Sequence, residues 1–295
     1  MKLLVFKTFW GHTGSLEQGI AIARAAGFDG IEAAPPTTAS ERTEWRKILA
    51  GEGMAFISEI TTGCAPKVYV PTPGLSVSQH RDDFLRKLEH AVEMAPLSVN
   101  CMAGSDLWEP DENLTLLGGC IESARAAGMA LTFEMHRSRA TFHPIATRRL
   151  LEALPELRLN CDFSHWCCVC EQLVMDALPE LLALCADRAD HFHARVGYEQ
   201  GPQVPHPGAP ESAAALDAHL RWWREIWKFR HTRGETFCTV TPEFGPDGYL
   251  HTLPFTDQPV ADLWSLNIWI ADRLRQEFAI FTAECETSKL GENSI

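Results

Sequence analysis

An apolar run followed by an amphipathic one recurs eight times along this chain, and that alternation constrains the fold more than any other feature. The first unit reads as a strand over Leu3 to Phe6, then a helix over Ser15 to Ala26 that stops at Gly27. Phe28 to Ala33 and Ser40 to Gly51 form the second unit, and Ala55 to Ile60 with Gln79 to Ala95 the third. The others pair Leu97 to Met102 with Asp111 to Ala127, Met129 to Met135 with Pro144 to Leu154, and Leu157 to Phe163 with Val174 to Ala186. His191 to Val196 then precedes Ser212 to Arg230, and Phe237 to Phe244 precedes Asp257 to Phe281. One helix between successive strands is the connection that parallel strands require. Eight such units predict an α/β fold, a (β/α)8 barrel over residues 1–283 as one domain, with a polar tail over 284–295. An open doubly wound sheet is the alternative, but it normally has fewer parallel strands and a glycine-rich phosphate turn after the first. The turn here, Trp10-Gly11-His12-Thr13-Gly14, has neither the dinucleotide nor the P-loop pattern.

In such a barrel the chemistry collects at the carboxyl ends of the strands. Strand five ends Glu134-Met135-His136, strand six Asp162-Phe163-Ser164-His165, strand seven His191-Phe192-His193-Ala194-Arg195, and strand eight Pro242-Glu243-Phe244. One acid at a strand end is ordinarily a salt-bridged rim residue. Four consecutive strands ending in a carboxylate or imidazole are another matter, because acids converging inside a barrel repel unless a cation neutralises them. Glu134, Asp162, His193 and Glu243 therefore form a candidate site for one divalent metal. Mn²⁺ or Mg²⁺ suits three oxygen donors and one imidazole best, with Co²⁺, Fe²⁺ or Zn²⁺ also compatible.

Glu32 and Glu59 also end strands. Lacking neighbours of the same kind in sequence, each reads as a structural or rim residue, with substrate binding as the alternative. Lys7, Trp10 and Trp108 are candidates for lining the pocket. His80, His90, His206, His219, His231 and His251 stand outside the strand ends and are expected at the surface. The stretch from His219 to Trp227 mixes basic and aromatic residues, yet the helical spacing of Trp223 and Trp227 favours a packed helix face over a nucleic-acid surface.

Charge bears on partners. With 26 Lys and Arg against 39 Asp and Glu, the formal charge is −13, which argues against nucleic-acid and membrane partners. Neither a signal peptide nor an apolar membrane span is evident. The ten cysteines include only one C-x-x-C spacing, Cys167 to Cys170, so free thiols in a cytoplasmic protein are expected rather than a zinc or redox site.

These strand ends, together with Gly27-Phe28-Asp29-Gly30-Ile31-Glu32, resemble the xylose isomerase-like TIM-barrel superfamily, in its sugar isomerase and epimerase branch of the D-tagatose 3-epimerase type. The resemblance runs from Lys2 to about Phe281. It implies that Glu134, Asp162, His193 and Glu243 hold the metal, and that Glu134 and Glu243 also move protons on opposite sides of a carbon next to a carbonyl. It implies an enediolate route to isomerised or epimerised sugars or polyols, substrate contacts from His165, Arg195 and His136, and a homo-oligomer, dimer or tetramer, for which tryptophans of the 221–227 stretch could supply a contact. The loops after Arg195 and from Glu243 to His251 depart from the well-characterised epimerases. A lyase or dehydratase acting on a keto-sugar, keto-inositol or oxidised glycoside is therefore the alternative. An AP-endonuclease-like hydrolase and a non-catalytic binding barrel stand behind it.

Overall fold

The computed structural model describes residues 1–65, 68–246 and 248–292. Strands β1 (Lys2–Thr8), β2 (Gly30–Ala33), β3 (Ala55–Thr61), β4 (Ser98–Met102), β5 (Leu131–Glu134), β6 (Leu159–Asn160), β7 (Ala189–Ala194) and β8 (Phe237–Pro242) are parallel, neighbour one another in sequence order and close into a barrel through β1 and β8. Around them lie α1 (Leu16–Ala25), α2 (Ala39–Gly51), α3 (Val77–Met94), α4 (Pro110–Ala126), α5 (Pro144–Ala153), α6 (Phe163–Val169), α7 (Pro179–Arg188), α8 (Ala213–Thr232) and α9 (Leu263–Glu292). The fold is the expected (β/α)8 barrel. Among the described residues no helix is long and apolar enough to cross a membrane.

Register assigns each strand residue to a face. Thr8 pairs with Glu32, Glu59 with Asn100, Glu134 with Asn160, and His193 with Thr241, so a ring of polar side chains points inward at the carboxyl end. The alternate positions, among them Val5, Ile31, Phe56, Val99, Phe133, Phe192 and Val240, are buried in the apolar layer between strands and helices.

Three local departures have physical causes. Strand six is only Leu159–Asn160, because the pairing with β7 shifts there and the Asp162 side chain accepts from Ser164 N at 3.0 Å, turning the chain into α6 at once. The expected helix over Val174 to Ala186 divides into a 3₁₀ turn, Val174–Ala177, and α7, which starts at Pro179. The expected tail from Glu284 is, as far as Glu292, the end of α9. Glu284 is ion-paired with Arg224 there, and Cys285 packs against the core; residues 293–295 lie outside the described residues.

The aromatic stretch is a core face. Trp222, Trp223 and Trp227 are at most 1% exposed, with Trp223 stacked on Phe192 and Trp227 edge-on to Phe278 of α9. Tryptophans so placed are unavailable for contact with another subunit, which corrects that expectation. His80 and His219 are likewise buried, not at the surface. His80 bonds Thr62 through Nδ1, and Trp108 packs edge-on against it. His219 lies on the tryptophan face of α8. His90, His206 and His231 are half-buried and His251 exposed. All ten cysteines are free.

Candidate functional site

Four side chains meet where β5, β6, β7 and β8 end. One ligand atom from each of Glu134, Asp162, His193 and Glu243 lies within 4.8 Å of the others, and all four residues are buried. His193 Nδ1 is 2.9 Å from a Glu243 carboxylate oxygen and 3.7 Å from one of Glu134. The set expected from the sequence is thus brought together.

Beneath it sits Glu32, fully buried at the end of β2. Its carboxylate accepts from His193 Nε2 and His191 Nε2, each at 3.2 Å, and from the Thr241 hydroxyl. Asn100 Nδ2 donates both to Glu32, at 3.2 Å, and to Glu134, at 2.9 Å. Glu32 is therefore no rim residue. With one His193 proton engaged at Nε2, Nδ1 is the atom turned to the ligand ring, where a metal would take the place of the second proton.

Beside the ring, Arg195 Nη2 donates to Asp162 and, at 2.7 Å, to His165 Nε2, while Nη1 lies 3.4 Å from a Glu243 oxygen. Trp10 and Tyr249 cover its guanidinium, their ring centroids 5.6 and 4.7 Å from Cζ. His136 packs on His165 with ring centroids 4.0 Å apart and faces the Tyr249 hydroxyl. The structure thus brings His165, Arg195, His136 and Trp10 together beside the ligand ring.

Lys7 and Trp108 are not among them. Thr8 shares the face of Glu32, so Lys7 points outward, where its ammonium rests on Phe9 and Trp264. Burial lowers its pKa to about 8. Trp108 contacts His80 of α3 rather than the carboxylates. Glu59 does face the interior: burial, reinforced by Glu32, Glu243 and Glu134, pushes its carboxyl well above the usual range. Sequence reasoning passed over Asn100, Arg137, Arg139 and Tyr249. An amide inside the apolar run Val99-Asn100-Cys101 was the one signal, since a buried amide requires partners.

The electrostatics ask for a cation. Burial, with help from Glu243 and Asp162, pushes the Glu134 carboxyl up to about 8. Asp162 is raised by burial and by Glu243, although Arg195 opposes this. Burial disfavours the His193 cation, but Glu243, Glu32 and Glu134 outweigh it and hold the ring's pKa well above the ordinary value. Three carboxylates around one imidazole thus compete for protons, and a divalent ion satisfies all four groups at once. The donors fit the implied metal.

Residues 20–225 match the family model described as Xylose isomerase-like TIM barrel. The chain belongs to that family. Known structures similar to this family member include an L-ribulose 3-epimerase, with 14% identity, TM-score 0.66 and 98% of each chain covered. D-allulose 3-epimerase from Methylomonas sp., in complex with D-allulose, aligns at 12% identity and TM-score 0.64 over 94% of this chain and 97% of its own. The probable 3-DHS dehydratase from Bacillus anthracis aligns at 14% and 0.54 over 84% and 94%. At such identities the likeness is one of fold. No curated protein matches the sequence.

Proposed function

We propose that this protein is a divalent-metal-dependent isomerase or epimerase of a sugar or related polyol, working by proton transfer at the carbon next to a carbonyl. The observation that carries the reading is the buried convergence of Glu134, Asp162, His193 and Glu243 within 4.8 Å. Those four residues would hold the ion, with Mn²⁺ or Mg²⁺ best suited to their oxygen-rich set. When bound, the ion supplies positive charge to the oxygens of an α-hydroxycarbonyl, which acidifies the C–H between them.

The chain's own residues do the rest. Glu134 and Glu243 reach the centre from β5 and from the end of β8, so one can remove the proton while the other returns one from a different side. Return to the same carbon inverts it; return to its neighbour isomerises the sugar. Arg195, fixed by Asp162 and Ser164, offers fixed positive charge beside oxygens that become negative. His136 and His165 are kept neutral because burial and the neighbouring arginines lower both pKa values, leaving rings that orient hydroxyls without adding charge.

Likeness to two ketose 3-epimerases supports this direction, and likeness to a probable dehydratase sustains a lyase as the second reading. The two diverge after proton removal. The Mn²⁺-loaded protein is incubated with D-ribulose, D-fructose and D-allulose in D₂O and followed by NMR. Deuterium beside the carbonyl with an intact carbon skeleton is expected. Loss of water or another leaving group establishes the lyase, and absence of bound metal by elemental analysis removes both in favour of a non-catalytic barrel.

A further inference from the structure

Two arginines close to the metal centre have no carboxylate partner among the described residues, in a chain whose formal charge is −13. Most arginines here are paired, Arg195, Arg158 and Arg230 among them. Arg139, fully buried, is met by the backbone carbonyls of Thr62 and Tyr69. Arg137, half-buried, has Cys168 Sγ at 4.0 Å and the Tyr249 ring 4.8 Å from its Cζ.

Tyr249 marks the spot. Its ring centroid lies 4.8 Å from the Cζ of Arg137 and 4.7 Å from that of Arg195, and the ring is edge-on to Trp10 at 4.8 Å and to His165 at 6.2 Å. Two buried donors beside it lack acceptors among the described residues. Since His165 Nε2 accepts from Arg195, its Nδ1 carries the proton, and that atom has no partner; nor has Trp10 Nε1. A buried donor left unpaired is unfavourable, and a guanidinium without a counter-charge more so. Arg195 joins the carboxylates to this group, through Asp162 and Tyr249.

We propose that the Arg137 side of the cavity is an anion subsite, so that the substrate is an acidic sugar whose carboxylate or phosphate lies against Arg137 while its α-hydroxycarbonyl lies at the metal centre. This deepens the proposed function and rests on it. Arg137 sets specificity, since its planar fork suits a carboxylate or phosphate and no carboxylate among the described residues neutralises its charge. A neutral sugar would satisfy the donors of His165 and Trp10 but leave the guanidinium uncompensated.

Three probes isolate the charge: D-fructose, D-fructuronate, in which carbon six is a carboxylate, and D-fructose 6-phosphate. Their binding to the Mn²⁺-loaded full chain is measured by calorimetry, so the result does not depend on turnover. At least one of the acidic probes should bind about tenfold or more tighter than D-fructose, and which one does identifies the acidic group. Arg137→Gln should abolish that preference, and Arg137→Lys should restore part of it, with Mn²⁺ affinity unchanged in both. The proposal is overturned if D-fructose binds as tightly as both acids, if none of the three binds, or if Arg137→Gln weakens all three equally. Wild-type protein that fails to bind Mn²⁺ defeats the underlying reading as well; intact Mn²⁺ binding without anion preference defeats the subsite alone.

Discussion

Glu32 Oε1 lies 3.2 Å from His193 Nε2, although 161 residues separate them in the chain. Because Glu32 is held ionised by His193 and His191 despite its burial, it acts as an acceptor and directs the proton of His193 to Nε2. The nitrogen on the other side of the ring then faces Glu243 and Glu134. A carboxylate behind an imidazole that orients its free nitrogen is the arrangement by which proteins prepare a histidine for a metal.

Replacement of that carboxylate tests the arrangement. Glu32→Gln keeps the volume but removes the charge against which both imidazoles are aligned. Mn²⁺ affinity, measured by calorimetry, is expected to fall about 10–100-fold with the far-UV circular dichroism unchanged. An unaltered dissociation constant would show that His193 is positioned without Glu32.

In the proposed mechanism Glu134 and Glu243 carry the chemistry rather than the orientation. Glu134→Gln and Glu243→Gln should each slow deuterium exchange from D₂O into substrate by about 10²–10⁴, measured at saturating Mn²⁺ so that weaker metal binding is not what is read. Full turnover in either variant would remove that residue from the proton transfer.

Why some of this was legible and some was not follows from particular residues. The four candidate ligands could be read because each lies near the end of a strand, and strand ends are where a barrel concentrates polar groups. Glu32 could not be assigned its role, since its partners come from β7 and β8 and no local pattern couples them to β2. Lys7 was misplaced by a single register step: β1 continues to Thr8, so alternation turns Thr8 inward and Lys7 outward. His219 carried a signal of its own, because it precedes Trp222 and Trp223 at the spacing of one helix face and shares their burial. Arg137 and Arg139 stand beside Ser138 in what reads as an ordinary polar turn. Only the closed barrel shows that neither meets an acid among the described residues.

The neutrality of His219 predicts a pH dependence. Its Nδ1 donates to Ala215 O at 2.9 Å and its Nε2 accepts from Gly197 N at 3.3 Å, while burial lowers its pKa from 6.5 to about 4. Unfolding restores the ordinary value, so the unfolded chain binds the extra proton between those limits. The stabilisation is complete above pH about 6.5 and falls by roughly 1.4 kcal/mol per unit as the pH drops toward 4. His219→Gln has nothing to titrate there, so its urea midpoint should fall less between pH 7 and pH 5 than that of the wild type. Parallel profiles would show that the ring is not held neutral.

Gly245 follows Glu243 by two residues and lies against Trp10. A Cβ placed on Gly245 would overlap Trp10 Cζ3, Cε3 and Cη2, atoms of a rigid ring that cannot yield by rotating a flexible end. Gly245 is also tied on both sides, since its amide donates to Gln203 Oε1 at 2.8 Å and its carbonyl accepts from Gln203 Nε2 at 3.2 Å, so the backbone is not free to retreat. Gly245→Ala should therefore displace Trp10 from the side of Arg195 while leaving the four candidate ligands in place. The expected signature is a KM raised about tenfold or more, the scale on which misplaced substrate contacts are felt, with Mn²⁺ affinity unchanged. A quenched or shifted Trp10 fluorescence in the variant, read against a Trp10→Phe control, ties the loss to that ring. Unchanged KM and fluorescence would place Trp10 outside the substrate cavity.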